Sequence, residues 1–266
     1  MLAKESVLRR LPANLDAAQR LRCEAIVFSA DVLDFAWSSI RETTARLGDK
    51  IICSSERERT SLFAHAWTIV DQLHILRTMI PRITNGRIGS KLRSFCELSE
   101  PATHMRNKMD HPLGTLPNRA KQKSLQAPLF GVLSYVLIDK VKLTGDGPVL
   151  EAATIFSITS GSTQGNKTLL GPLPNCLQLA TPVCQFSFTA FDWTIEFDRV
   201  LELLRQRLSN ISEQVEASLC KQAENASTRS GLTVEELMAP APMHGNFIIA
   251  FDVDFVDPDE QDNTLK

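Results

Sequence analysis

The residues with the most chemical potential lie in one short stretch, His104-Met105-Arg106-Asn107-Lys108-Met109-Asp110-His111-Pro112. Between Arg106 and His111 a permanent cation, an amide and an imidazole crowd into about a turn and a half of helix. Arginine keeps its charge at any ordinary pH, and histidine as a residue type exchanges a proton near neutrality. A proton shuttle beside a clamp for phosphate is what phosphoryl-transfer chemistry on RNA needs when no metal takes part. Asp110 stands one helical turn from Arg106, at the spacing of a surface ion pair. His104 and His111 lie about 10 Å apart along a helix axis, too far to share a metal without further ligands. The expectation is a site with no metal and no cofactor.

Charge around this stretch is uneven. From Arg82 to Lys123 the bases are Arg82, Arg87, Lys91, Arg93, Arg106, Lys108, Arg119, Lys121 and Lys123, against the acids Glu97, Glu100 and Asp110. That is a balance of +6 in a chain whose net charge is −2. Such a segment can meet phosphates through its charge, with Lys108, Arg93 and His104 as substrate-binding candidates and RNA as the expected partner.

The elements that position these residues follow from periodicity. Ala18, Leu21, Ala25, Phe28, Val32 and Phe35 alternate spacings of three and four, which predicts a helix from Asp16 with this face inward and Gly48 as its stop. Ser55-Glu56-Arg57-Glu58 reads as a capping box, and Leu62, Ala66, Ile69, Leu73, Leu76 and Ile80 give the next helix its stripe, ended by Pro81. A third helix is expected from Ser90 to His111, with Leu92, Phe95, Cys96 and Met105 inward. Pro101 either kinks it or opens a fresh segment. Residues 1–14 read as polar and mobile, and 113–126 as a loop.

Beyond residue 128 the composition turns to Val, Ile, Leu, Phe and Thr broken by Gly, Pro, Asn and Asp. Segments 129–143, 149–160, 169–180 and 183–190 predict an antiparallel sheet of three or four strands, the first of them open to a partly helical reading. The longest helix is expected over 192–224, with Trp193, Phe197, Val200, Leu201, Leu204, Leu208, Ile211, Val215 and Leu219 on its apolar face. A last strand is expected at 247–255, followed by an acidic tail over 257–266. The fold class is therefore α+β: a four-helix bundle, a sheet inserted between helices three and four, and a C-terminal strand. By domains, 15–112 with 192–225 form the bundle, and 125–190 with 246–256 form an accessory sheet.

Four helices with Arg106-Asn107-Lys108-Met109-Asp110-His111 closing the third resemble the HEPN superfamily. That family is marked by an arginine and a histidine four to six residues apart, commonly with a polar residue such as Asn107 after the arginine. The resemblance covers the helices and leaves out the sheet and the tail. It implies a metal-independent endoribonuclease, in which the ribose 2′-hydroxyl attacks the neighbouring phosphate and leaves a cyclic phosphate end. His111 would be the general acid or base, Arg106 the phosphate clamp, and Asn107 an orienting group. It also implies a homodimer that brings two motifs to one cleft. Family habit adds a toxin–antitoxin or antiphage setting, with an antitoxin or other regulatory protein as partner. Leu113 stands where toxin-like members often carry a tyrosine, a departure from that branch. The alternatives are a non-catalytic HEPN-like protein that holds nucleotide or RNA, and a structural interaction protein.

Geometry sets a condition on the site. Residues five apart on an ideal helix stand about 140° from each other. Arg106 and His111 converge only where the helix ends between them. Pro112 favours that, because it drives the preceding residue out of the helical region.

Other motifs carry less. Gly161-Ser162-Thr163-Gln164-Gly165-Asn166-Lys167-Thr168 is one change from a phosphate-binding loop, but Leu169-Leu170-Gly171-Pro172 cannot continue as the helix such a loop requires. Cys23, Cys53, Cys96, Cys176, Cys184 and Cys220 are scattered and read as free thiols. No signal-like segment opens the sequence, and no apolar run approaches the ~20 residues of a membrane span. The expectation is a cytoplasmic protein with no membrane contact.

Overall fold

The computed structural model describes residues 1–48, 55–83, 89–111, 130–144, 147–160, 183–240 and 249–251. In order these form α1 (Ala17–Leu47), α2 (Glu56–Ile83), α3 (Ser90–Leu98), α4 (Glu100–Asp110), β1 (Val132–Thr144), β2 (Gly147–Thr159), β3 (Val183–Ala190), β4 (Trp193–Glu196), α5 (Phe197–Ser230) and α6 (Val234–Met238). The strands make one antiparallel sheet in the order β2-β1-β3-β4. The expected α+β class holds at this level, with the sheet between α4 and the long α5 in chain order. Contacts group the chain into two compact units: Met1–Val32, Ile75–Glu97 and Glu202–Lys266 in the first, and Leu33–His74 and Leu98–Leu201 in the second. Among the described residues no helix is long and apolar enough to cross a membrane. The expected strand at 169–180, the loop at 113–126, the Gly161–Thr168 motif, most of the strand at 247–255 and the acidic tail lie outside the described residues.

Local chemistry explains most helix ends. Ser55 and Glu58 close the expected capping box, with Ser55 N–H donating to Glu58 Oε2 at 2.9 Å and Glu58 N–H donating to Ser55 Oγ at 3.2 Å. Hydrogen bonds to its carboxylate from the Ser55 N–H, from Arg46 and from the Ser55 hydroxyl pull the Glu58 carboxyl down to about 2. Gly48 ends α1 with φ +50, the left-handed turn that glycine adopts without strain. Pro101 opens a fresh segment, standing in the first turn of α4 after Ser99. Pro81, expected to end α2, instead sits in its last turn, and the helix runs on to Ile83. There the proline removes only its own donor, and the Arg82 carbonyl accepts from Arg22 Nη1 at 3.3 Å.

Three further expectations are overturned. The first concerns α1. Leu21, Phe28 and Phe35 are 66 %, 66 % and 68 % exposed, so the face predicted to be inward points to solvent. The buried stripe is Cys23, Ile26, Ala30, Leu33, Trp37, Ile40, Thr44 and Leu47, which alternates by three and four in the same way. The stripes of α2 and α5 fall as expected, apart from Trp193.

The second concerns residues 1–14, which are packed rather than loose. Val7, Leu8 and Leu11 are buried, Ser6 shares a 2.7 Å hydrogen bond with Ser212, and Arg9 pairs with Asp31, whose carboxyl it holds below its ordinary value. Asp16 N–H donates to the Ile249 carbonyl and Ile249 N–H to Asn14, each at 2.9 Å, so the described C-terminal residues clip onto this segment.

The third concerns the start of α5. Residues 193–196 form β4, and the helix begins at Phe197. Phe191 and Asp192 both take positive φ, 51° and 71°, which joins β3 to β4 by a two-residue turn of the type-I′ kind. Neither residue is a glycine or asparagine, so the turn carries no usual signal. Phe191 is held in that conformation by burial and by an edge contact to Trp67 at 6.1 Å. The Asp198 carboxylate then accepts from the Phe186 N–H and ties the first turn of α5 to β3.

The inverted α1 has a direct consequence. Ile26→Ala, at a fully buried position, should lower unfolding free energy by about 2–5 kcal/mol. Phe28→Gln should change it by less than about 0.5 kcal/mol. Urea denaturation of the two variants separates the faces, and a reversed order would restore the face expected from the sequence.

Candidate functional site

In the second unit α4 lies against α2, and its inward face is set by i, i+3 and i+7 spacing. Ala102 and Met105 are fully buried, and Thr103, Arg106 and Asp110 line the seam beside them. Across the seam α2 presents Asp71 and His74, one turn apart. His74 Nδ1 and Thr103 Oγ1 are 3.1 Å apart. Arg106 Nε stands 3.7 Å from Asp71 Oδ1 and 3.5 Å from Asp110 Oδ2. The guanidinium thus sits between two carboxylates, one from each helix, with its side chain 34 % exposed.

Burial raises the Asp71 carboxyl above its ordinary value. Arg106 and His74 pull it back and Asp110 pushes it further up. A carboxylate that is partly desolvated beside a cation and a second acid is the kind of perturbed group that collects at functional sites.

His111 occupies the C-cap of α4 with φ −122° and ψ 57°, outside helical geometry, as Pro112 demands. The helix thus ends at Asp110, between Arg106 and His111. Asn107 and Lys108 are exposed. His104 lies on another side of α4, where its ring stacks on Trp193 of β4 at 4.1 Å and 9° and its Nε2 is 3.8 Å from Glu100. Arg93 is exposed on α3, in the first unit. Of the basic segment, Arg87, Arg119, Lys121 and Lys123 lie outside the described residues.

The structure adds Trp193 to the predicted set, and it brings in Asp71 and His74, which the sequence reads as core-edge polar groups of the second helix, with Asp71 lining the cleft if it faces helix three. Asp71 and His74 come from α2, more than thirty residues upstream, and Trp193 comes from the strand expected to be helix. The i, i+3 spacing of Asp71 and His74 on this amphipathic helix was the available signal for those two. The cluster offers a cation suited to an oxyanion and a raised carboxyl, and α4 ends on the exposed His111. A cation and a raised carboxyl are the group types that bind an anion or move a proton.

No family model, curated protein or solved structure matches the chain.

The raised Asp71 carboxyl makes a pH prediction. A carboxyl whose folded value exceeds its unfolded one opposes folding at neutral pH, where both states are ionised. The penalty fades as pH falls through the folded value, and is gone below the unfolded one. Asp71→Asn should therefore raise the melting temperature at pH 7, by an amount that shrinks on acidification. Thermal melts across pH 3–8 measure it. A variant destabilised at pH 7 would mean that the Arg106 contact outweighs the burial.

Proposed function

We propose that this chain is a HEPN-type, metal-independent endoribonuclease that cleaves by 2′-hydroxyl attack on the adjacent phosphate. One observation supports the reading above others: α4 ends on His111, about a turn and a half beyond Arg106, whose guanidinium lies within 4 Å of two carboxylates. In this reading the helical bundle is the HEPN core, and the sheet is its insertion. Arg106 receives the non-bridging phosphate oxygens, and His111 takes the proton of the attacking 2′-hydroxyl or gives one to the 5′-oxygen that leaves as the P–O5′ bond breaks. Asn107 and Lys108, exposed on the same turn, meet the strand, and Asp71 orients Arg106. The setting would be a toxin–antitoxin or antiphage system in the cytoplasm, with an antitoxin or other regulatory protein as partner.

A second reading has its own observation. Arg106 already has two carboxylates within 4 Å, so its charge is compensated before any phosphate arrives. That favours a non-catalytic protein that binds nucleotide or RNA.

Incubation with total RNA in EDTA separates the two. Cleavage that persists in EDTA and vanishes in both Arg106→Ala and His111→Ala supports the nuclease, and the double variant should be little worse than either single one. Because the Arg106 pairs are half exposed, its loss should cost less than about 1 kcal/mol of stability. Intact RNA with measurable binding moves the assignment to the second reading.

The association state follows from the same chemistry. One imidazole can remove a proton or donate one, whereas in-line cleavage gains from both acts at once. We propose a homodimer in which two α4 ends meet across a two-fold axis and contribute two copies of His111 to one cleft. Sedimentation at micromolar protein should show the dimer. A strict monomer that still cuts RNA would sink the composite cleft.

A further inference from the structure

A cavity of about 560 Å³ opens in the second unit, in the size range of small-molecule sites. Its apolar walls are Phe63 and Trp67 of α2, Met109 of α4, and Phe130 just before β1. Its polar lining includes Arg59 and Glu56 from the first turn of α2, and Ser160 at the end of β2.

The walls are fixed in advance. Trp67 Nε1–H donates to the Phe130 carbonyl at 3.0 Å, and the rings of Phe63 and Trp67 rest on buried Phe188 at 6.2 and 5.5 Å. The Ser160 N–H donates to the Gly131 carbonyl at 3.1 Å, which holds the end of β2 beside the start of β1. Phe130 itself is 43 % exposed and lines the cavity.

Two polar groups are left over. Among the described residues the Ser160 hydroxyl is buried without a hydrogen-bond partner, a position that a folded protein normally avoids. Arg59 is exposed, and its side chain makes no hydrogen bond or ion pair among the described residues.

We propose that this cavity binds a mononucleotide unit, with the base against the aromatic walls and the phosphate on Arg59. The aromatic walls suit any flat heterocycle, because stacking is tolerant of base identity. Arg59 supplies a two-pronged donor for phosphate oxygens. Ser160 Oγ finds in the base or ribose the partner it lacks, and the Glu56 carboxylate accepts from a ribose hydroxyl or a base amino group. The site uses neither Arg106 nor His111, so it stands or falls apart from RNA cleavage.

Calorimetric titration of the full chain with 5′-AMP, 5′-GMP, 5′-UMP and adenosine tests this. Saturable nucleotide binding is expected, with adenosine weaker than 5′-AMP. Arg59→Ala should weaken 5′-AMP roughly tenfold or more and leave adenosine unchanged, because it removes a charge-assisted contact. Ser160→Ala should lower nucleotide affinity severalfold while raising the melting temperature of the free protein, since it removes an unsatisfied hydroxyl. A purely structural serine would not do both. A short single-stranded oligoribonucleotide that displaces 5′-AMP identifies the natural source as a strand, and failure to displace identifies free nucleotide. No saturable binding at millimolar nucleotide overturns the proposal, and so does affinity that both variants leave unchanged.

Discussion

The ring of Phe188 is the packing constraint on which the second unit depends. It is fully buried on β3 and meets Phe63 and Trp67 of α2 and Phe197 at the start of α5, with centroids 5.5–6.2 Å apart. The opposite approach belongs to Gly131, whose φ is +119° and where an added Cβ would come within 2.5 Å of the Phe188 ring. Only a residue without a side chain lets β1 start there. Because Gly131 is in place, its carbonyl receives Ser160, and the Phe130 carbonyl beside it receives the Trp67 indole. One aromatic ring therefore sets where two strands end, how α2 meets the sheet, and the shape of the cavity beside them.

Much of this was legible in the sequence, and the failures have physical causes. The stripe of α2 could be read because that helix carries a single apolar face. Helix α1 carries two, Leu21–Phe28–Phe35 and Ile26–Leu33–Ile40, both repeating every seven residues. A period reports that a helix is amphipathic, and it cannot say which of two equal periods meets the core. Tertiary contact decides, and it selects the stripe with Trp37, which meets Phe186 and Phe197 edge-on at 5.0 and 6.2 Å. The β3–β4 turn was hidden for a different reason. Phe191 and Asp192 adopt positive φ without glycine, and the apolar run beyond them reads as uninterrupted helix.

Legibility at the candidate site divides by range. The relation of Arg106 to Asp110 follows from helical spacing, and the release of His111 follows from Pro112. The contact to Asp71 depends on how α4 lies against α2, which no local pattern encodes. His104 shows the same division. Its place on α4 was plain, but its stack on Trp193 required β4 to exist, and the local pattern favoured helix over those residues.

The carboxylates around Arg106 bear on the proposed chemistry through position more than through affinity. An exposed ion pair contributes at most about 1 kcal/mol, because water competes for both partners. Two half-exposed acids at 3.5 and 3.7 Å can therefore orient the guanidinium without holding it out of reach of a phosphodiester. Exchanging a carboxylate for a phosphodiester leaves the charge at the arginine unchanged, so the exchange turns on geometry and solvation. Burial already disfavours the charged form of Asp71, which weakens its claim on the arginine. Its departure toward water would relieve that cost at the moment a phosphate arrives. An arginine aligned in advance spends little of the binding energy on ordering its side chain, and alignment is what an in-line reaction needs most.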